Sequence, residues 1–308
     1  MIPAQAVVAK RDPARDLFGY ALALGAASLW GVSGMLAKAV FNRGVAASEL
    51  AEVRIGMGLL LFAALAALVR PEAVRVRRAD LPLLVVFGVV GMAGVQLAYY
   101  EAVKRLPVAL AVLIQYLAPL LMLLYLWSRG RHVGRRLWLA GLLTVVGCYF
   151  AVGAYSADLL SANFEGALIA LFSAGIFAFY LLVAERIVRA YSAYTLLVYG
   201  FFFAALAWTV LRPWWTLPWR EWDSTTYLLI GGVGILGTLL PFLLSSLALS
   251  ILPATRVGLT ETLEPVVAGI AAFVFLGESL QLPQLVGAAG VLGGIALARS
   301  VQPTVDGV

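Results

Sequence analysis

Polar side chains interrupt long apolar runs of this sequence, and their types and spacing could bind a small molecule. Gln115 and Glu261 each lie four residues before a proline, Pro119 and Pro265, which leaves a backbone carbonyl of the preceding turn without a donor. A side chain and a free carbonyl side by side can hold a polar ligand. The predicted substrate-binding residues are Trp30, Ser33, Gln96, Tyr99, Gln115, Tyr116, Ser173, Phe177, Tyr180, Ser245, Thr260 and Glu261.

Charged residues inside the apolar runs form a second predicted set, with gating or structural roles: Lys38, Glu52, Arg54, Arg256 and Glu264. The first three lie near one end of their runs, so they could snorkel to the membrane surface, form a gate or bind substrate. Glu261 and Glu264 share a helix face and could bind an ammonium group or carry a proton. The alternatives for this pair are an ion pair with Arg256 or a hydrogen-bonded neutral acid. For the aromatic residues the alternative is ordinary packing.

Composition places these residues in a lipid bilayer. Of the 308 residues, 63% are hydrophobic and 12% charged, and the mean hydropathy is +0.96. The single Cys148 and the single His132 cannot form a disulfide framework or a Cys/His metal site, so no metal, cofactor or enzyme chemistry is expected. Ten membrane-spanning helices are predicted near Leu17 to Phe41, Ala47 to Val69, Leu81 to Val103, Pro107 to Trp127, Leu137 to Val152, Phe164 to Val188, Ala193 to Leu211, Thr225 to Ser250, Pro253 to Phe275 and Leu282 to Ala298.

Basic residues between the spans predict the orientation. One side of the membrane would hold fourteen: Lys10, Arg11, Arg15, Arg70, Arg75, Arg77, Arg78, Arg129, Arg131, Arg135, Arg136, Arg186, Arg189 and Arg299. The other side would hold five: Arg43, Lys104, Arg105, Arg212 and Arg220. Cytoplasmic loops carry the excess of Lys and Arg, so both termini are predicted to be cytoplasmic. This distribution explains the net charge of +6 without a nucleic-acid partner.

An internal repeat relates the two halves of the chain. A shift of 146 positions superimposes Leu106-Pro107 on Leu252-Pro253 and Pro119 on Pro265, and it aligns several glycines. Because each half holds an odd number of spans, the second half must enter the membrane from the opposite side. The prediction is an all-α membrane protein of two inverted five-helix repeats, 17–152 and 164–299, between cytoplasmic tails 1–16 and 300–308.

One motif of the second half resembles a known family. Glu264-Pro265-Val266-Val267 is followed by Phe275-Leu276-Gly277-Glu278 and Gln284-Leu285-Val286-Gly287, which is similar to the EamA repeat of the drug/metabolite transporter superfamily. The first half keeps Ala118-Pro119 and Gly141 but has His132 at the position of Glu278. The overall pattern is most similar to the YddG-type exporters of aromatic amino acids. That resemblance implies a central cavity between helices of both halves and alternating access by rocking of helix pairs.

These observations together predict a secondary transporter of the bacterial inner membrane. The expected substrate is a small neutral amino acid, aromatic or otherwise apolar, and the expected partners are this substrate and membrane lipid. The alternatives are other small metabolites or drugs on the same fold, including nucleotide-sugar and phosphate compounds, and a pore or intramembrane enzyme. Transport down the substrate gradient is expected, with proton coupling as the alternative. A monomer that contains both halves could function alone.

Overall fold

The fold is a bundle of antiparallel α-helices in a computed structural model that describes residues 12–155, 163–277 and 279–301. Parts of both predicted tails, 1–11 and 302–308, and Glu278 of the family motif lie outside the described residues. The helices of the first half are α1 (Pro13–Phe41), α2 (Ala47–Val69), α3 (Leu81–Val86), α4 (Val95–Val103), α5 (Val108–Gln115), α6 (Ala118–Ser128) and α7 (Arg135–Ala151). Those of the second half are α8 (Phe164–Ala190), α9 (Ala193–Leu211), α10 (Ser224–Gly234), α11 (Leu240–Leu249), α12 (Ala254–Glu261), α13 (Glu264–Leu276) and α14 (Leu282–Ser300).

Some of these helices continue each other as one span. Within the described residues, nine helical stretches are long and apolar enough to cross a membrane. α7 has 17 residues and falls just short of that length, so the predicted count of ten is not reached by this measure. The bounds nevertheless agree with the predicted spans to within four residues at every end, the largest difference being the start of α1 at Pro13.

Two pairs of spans have irregular middles at positions related by the 146-residue shift. A π-helix, Phe87–Gly94, joins α3 to α4, and a second one, Ile235–Leu239, joins α10 to α11. A two-residue turn separates α5 from α6 before Pro119, and another separates α12 from α13 before Pro265. Proline has no N–H to donate, so each turn forms where a carbonyl loses its donor. Irregular backbone of this kind is tolerated at membrane depth where it faces protein or a cavity.

The loops gather at two ends of the bundle, which we call the tryptophan end and the arginine end. The tryptophan end holds loop 42–46 and loop 212–223, and Arg43 Nη1 donates to Asp223 Oδ2 across them at 2.8 Å. The arginine end holds loop 70–80 and loop 191–192, where Tyr191 donates to the Asp80 carboxylate and Tyr199 to the Val74 carbonyl. Each end is therefore tied by contacts between the two halves.

Helices of each half pack mainly against helices of the other half. α1 packs against α10, α11, α12 and α13, all from the second half, and α8 packs against α4, α5 and α6 from the first. α2 packs against α9. The main apolar core lies between these groups and includes Phe62, Phe87, Leu181 and Phe201, each almost fully buried.

The closest helix pair is α7 with α14, which pack backbone against backbone through glycines. A Cβ on Gly287 would lie 2.4 Å from the backbone nitrogen of Ala151, and one on Gly147 would lie 2.6 Å from the nitrogen of Val291. Small residues are the means by which membrane helices approach this closely. The pair is thus a fixed seam at one side of the bundle.

Gly287→Ala is expected to force this seam apart, because its Cβ would meet backbone atoms that cannot rotate away. We expect a loss of stability of about 1–3 kcal/mol, seen as a lower midpoint of thermal unfolding in detergent. The matched control is Gly293→Ala on the same helix, whose Cβ would meet only the Leu143 Cδ2 atom at 3.4 Å. An equal effect of the two substitutions would contradict the seam.

Candidate functional site

A central cavity of about 260 Å³ lies between the two halves of the bundle. Its walls come from α1, α2, α4, α5, α8, α9, α10 and α11, from both π-helical stretches, from the turn between α5 and α6 and from the first residue of α13. Eight of the predicted substrate-binding residues line it: Trp30, Ser33, Gln96, Tyr99, Gln115, Tyr116, Phe177 and Tyr180. These residues come from four helices and from the turn between α5 and α6, so the cavity exists only when the spans of both halves pack together.

Arg54 is a cationic wall residue of this cavity. Its Nε donates to Thr238 Oγ1 at 3.0 Å, and its Nη2 donates to the Gly237 carbonyl at 2.8 Å. Trp30 Nε1 donates to the same carbonyl at 3.2 Å. Gly237 lies in the π-helical stretch, whose widened turn directs this carbonyl to side chains. Nη1 makes neither of these two bonds.

Glu264 is the acidic wall residue. It is the first residue of α13, directly after the turn before Pro265, and its Oε2 accepts a hydrogen bond from the Tyr116 hydroxyl at 2.7 Å. Tyr116 lies in the corresponding turn of the first half, between α5 and α6. The cavity therefore has one basic and one acidic side chain among the described residues that line it, Arg54 and Glu264.

Aromatic rings form much of the remaining wall. Trp30 packs edge-on against Phe242 at 5.4 Å between ring centroids, and Phe242 packs against Phe201 at 5.3 Å. On the α8 side, Tyr180 stacks on Phe177 with centroids 6.0 Å apart. Rings that contact each other in this way are held in place and give the cavity a rigid apolar surface.

Four predicted substrate-binding residues do not line the cavity: Ser173, Ser245, Thr260 and Glu261. Ser173 lies behind Gln115, whose Nε2 donates to its hydroxyl at 3.3 Å. Glu261 is buried and its Oε1 accepts from Ser245 Oγ at 2.6 Å. Thr260 donates to the Arg256 carbonyl within its own helix. The last three are covered because the arginine end of the bundle is closed.

The predicted gating residues also fall in different places. Arg54 and Glu264 line the cavity, whereas Lys38 is exposed on the last turn of α1. Glu52 is buried, with its Oε2 3.8 Å from Arg212 Nε at the tryptophan end. Arg256 forms no ion pair with Glu261 or Glu264, which are described residues, and instead donates to the Val301 carbonyl. The ion pair with Arg256, one of the alternatives for these glutamates, is thus not formed in this conformation.

Sequence reasoning omitted several cavity residues from the predicted set. Tyr100 and Thr238 line the cavity. Both are polar residues inside predicted spans, and their positions next to Tyr99 and Gly237 in the sequence could have indicated this. Met92, Phe201 and Phe242 also line the cavity. An apolar residue on a cavity wall has the same sequence signature as one in the core, so no signal was available for these three.

Accessibility of the cavity differs between the two ends. All eight residues of α12 are buried, and α12 packs against α1, α6, α8 and α14. In α5, the segment related to α12 by the 146-residue shift, only Ala111 is buried. The wall residues of α1, α2 and α4 lie in the parts nearer the tryptophan end, such as Ala37, Ala51 and Tyr100. The cavity thus extends toward the tryptophan end and is closed toward the arginine end.

Comparison with known proteins identifies the family. The model of the EamA-like transporter family matches residues 17–153 and again residues 164–300. The chain belongs to this family. Its members are membrane transporters, so the protein is a multi-pass membrane transporter of the drug/metabolite transporter superfamily and not an enzyme.

Individual relatives agree with this assignment. The chain is 29% identical over 260 residues to the threonine/homoserine exporter RhtA of Escherichia coli strain K12, covering 83% of each chain. It is 27% identical over 201 residues to a transporter of Archaeoglobus fulgidus, covering 65% of this chain and 70% of the relative. A solved crystal structure of a protein that is 20% identical superposes with a TM-score of 0.77 over 94% of this chain and 97% of its own, which establishes the likeness of fold.

The tryptophan end of the bundle yields a prediction about pH. Asp223 caps α10 by accepting from Thr226 N at 2.8 Å and Thr226 Oγ1 at 2.6 Å, and Arg43 donates to its other oxygen. The Thr226 hydrogen bonds, with Arg43, hold the pKa of the Asp223 carboxyl below its usual value. A carboxyl whose pKa is lowered by folding stabilises the protein above its unfolded pKa, and this contribution is lost as the pH falls through the folded pKa.

Asp223→Ala is therefore expected to lower the thermal unfolding midpoint at about pH 6, and the difference from wild type should shrink toward about pH 3. Glu221→Ala is the matched control, because Glu221 is an exposed acid in the same loop. A difference for Asp223→Ala that stays constant across this pH range would contradict the role of its ionised carboxyl.

Proposed function

We propose that this transporter carries small neutral amino acids by alternating access, with threonine and homoserine as the first candidate substrates. The observation that carries the proposal is the pairing of Arg54 and Glu264 on the walls of one cavity. A neutral amino acid is a zwitterion, whose carboxylate suits a guanidinium and whose ammonium suits a carboxylate. The relative RhtA, which is named for export of threonine and homoserine, supports this substrate class.

The side chain of the substrate would lie between polar and aromatic walls. Ser33, Gln96 and Gln115 offer hydrogen-bonding groups to a hydroxyl such as that of threonine. The rings of Trp30, Tyr99 and Phe177 favour an apolar or aromatic side chain. We place the hydroxylated amino acids first because of the relative, and phenylalanine second because of the rings.

Nucleotide sugars and phosphate compounds fit the cavity less well. A dianion is best bound by more than one buried cation, and Arg54 is the only Lys or Arg among the described residues that line this cavity. Two of the three nitrogens of its guanidinium already donate to the second π-helical stretch. The carboxylate of Glu264 would in addition repel a dianion.

We further propose that α7 is the tenth span and that 17–152 and 164–299 are inverted repeats. The positive-inside bias supports cytoplasmic termini in a bacterial inner membrane, which makes the arginine end cytoplasmic. The cavity would then be open to the outside in this conformation. Exchange of the conformations of the two halves would close the tryptophan end and open the arginine end. We expect transport to follow the substrate gradient, with proton coupling as the alternative.

Counterflow of labelled threonine in proteoliposomes tests the proposal. Wild-type protein is expected to exchange threonine, and Arg54→Gln and Glu264→Gln are each expected to lower apparent affinity about 10- to 100-fold, because each removes a charged hydrogen-bonding partner. Arg43→Gln is the matched control, since Arg43 is an exposed arginine outside the cavity. Thermal unfolding midpoints equal to that of the wild type in both cavity variants would show that a lower affinity for threonine is not due to loss of the fold.

The same vesicles separate the remaining candidates. Exchange of phenylalanine but not threonine would select the aromatic substrate class, and exchange of a sugar phosphate alone would overturn the amino acid proposal. Wild-type rates of threonine exchange in both cavity variants would show that the two charges do not bind the substrate. Acceleration of threonine transport by an imposed pH gradient would contradict transport down the substrate gradient alone.

A further inference from the structure

Among the buried polar atoms without a hydrogen-bond partner in the described part of the chain, two lie on adjacent spans near the closed end of the cavity. They are Ser246 Oγ on α11 and Glu261 Oε2 on α12, in residues that are 0% and 1% exposed. A buried polar atom without a partner is destabilising, so few persist in native structures without another role. Their position on two adjacent spans points to a site that is used in a different conformation.

The internal repeat shows which conformation that is. Ser245, Ser246 and Glu261 correspond, at the shift of 146, to Tyr99, Tyr100 and Gln115. The three first-half residues line the open cavity, and the three second-half residues are covered where α11 and α12 pack against α8. If the halves exchange conformations, the covered residues become the wall of a cavity that opens at the arginine end.

The two related groups of residues differ in chemistry. The first-half group presents two phenols and an amide, all uncharged, whereas the second-half group presents two hydroxyls and a carboxyl. Glu261 lies three residues before Glu264 in the sequence, and α12 runs from the arginine end toward the middle of the bundle. Glu261 is therefore about one turn closer to the arginine end than Glu264. Of the two glutamates, Glu261 is the one that a substrate entering from that end would reach first.

We propose that Glu261, with Ser245 and Ser246, forms a loading subsite for the ammonium group of the substrate in the conformation open at the arginine end. This inference rests on the proposed function, because it assigns a second position to the same zwitterionic substrate. The ammonium binds Glu261 first and then moves one turn to Glu264, where Arg54 is available to the carboxylate. On the tryptophan side the corresponding position is Gln115, so substrate leaves past an uncharged group.

Thiol labelling tests whether the covered residues become accessible, and it needs no substrate. In a Cys148→Ala background, Ser246→Cys is expected to react with a membrane-impermeant thiol reagent in inside-out vesicles and not in right-side-out vesicles. Tyr100→Cys is expected to show the opposite sidedness. The matched control is Ala248→Cys, since Ala248 and its repeat counterpart Ala102 are both fully buried, and neither lines the cavity. Absence of Ser246→Cys labelling from either face would overturn the subsite.

Kinetics test the chemistry of the subsite. Glu261→Gln is expected to raise the half-saturation concentration of threonine about tenfold at the face of the arginine end, with a change below about twofold at the tryptophan face. Inhibition by the corresponding hydroxy acid, which lacks the ammonium group, should be unchanged. Equal effects at the two faces, or no effect at either, would overturn the proposal.

These outcomes are distinguishable from failure of the proposed function. If wild-type protein carries no threonine, the substrate proposal has failed, while labelling of Ser246→Cys still reports on accessibility at the arginine end. If wild type carries threonine and Glu261→Gln has wild-type half-saturation at both faces, only the loading subsite has failed.

Discussion

A charged guanidinium inside an apolar bundle must find acceptors within the protein, and the centre of this structure is arranged around that requirement. Lipid offers Arg54 no hydrogen-bond acceptor, and two of its three nitrogens donate to a hydroxyl and a carbonyl of the second π-helical stretch. The π-helical turn is what makes the Gly237 carbonyl available. Since Trp30 uses the same carbonyl, this one group joins α1 and α2 to the α10–α11 span. The polar wall of the cavity and the packing of three spans thus have a common origin.

At the two proline turns, backbone carbonyls likewise need hydrogen-bond partners from within the protein. Each proline leaves a carbonyl without its helical donor, and each turn lies in the middle of a span where water is scarce. The two turns meet at the centre of the molecule, where Tyr116 in the first donates to Glu264 directly after the second. Irregular backbone and an acidic side chain are therefore concentrated at one depth. That depth is where the cavity lies, which is why the site needs residues from both halves.

Much of this arrangement could be predicted from the sequence because it depends on local chemistry. Pro119 and Pro265 predicted the two turns within spans, and the apolar runs predicted the helices to within a few residues. The place of Arg54 could not be predicted, because its distance from the end of a span says nothing about the acceptors a neighbouring span offers. Ser245 and Glu261 were expected to line the cavity because the repeat relates them to Tyr99 and Gln115. A repeat predicts equivalent positions, whereas this single conformation covers the second-half set and exposes the first-half set.

The packing also limits how the two sets could exchange. α7 and α14 contact each other through backbone atoms at Gly147 and Gly287, so neither can slide without separation of the pair. α12, by contrast, is covered by side chains of α6 and α8, and side-chain contacts can be remade after a small rotation. Because α1 packs with the second-half helices and α8 with the first-half helices, each moving group would contain helices of both halves. In the transport cycle that we propose, rotation of these two groups against the α7–α14 seam would change access to Glu264 and Arg54 from one end to the other while both side chains stay near the middle. A substrate held by both charges would then change sides without crossing lipid, which is what an amino acid zwitterion requires, since neither of its charges can enter the hydrocarbon without a partner.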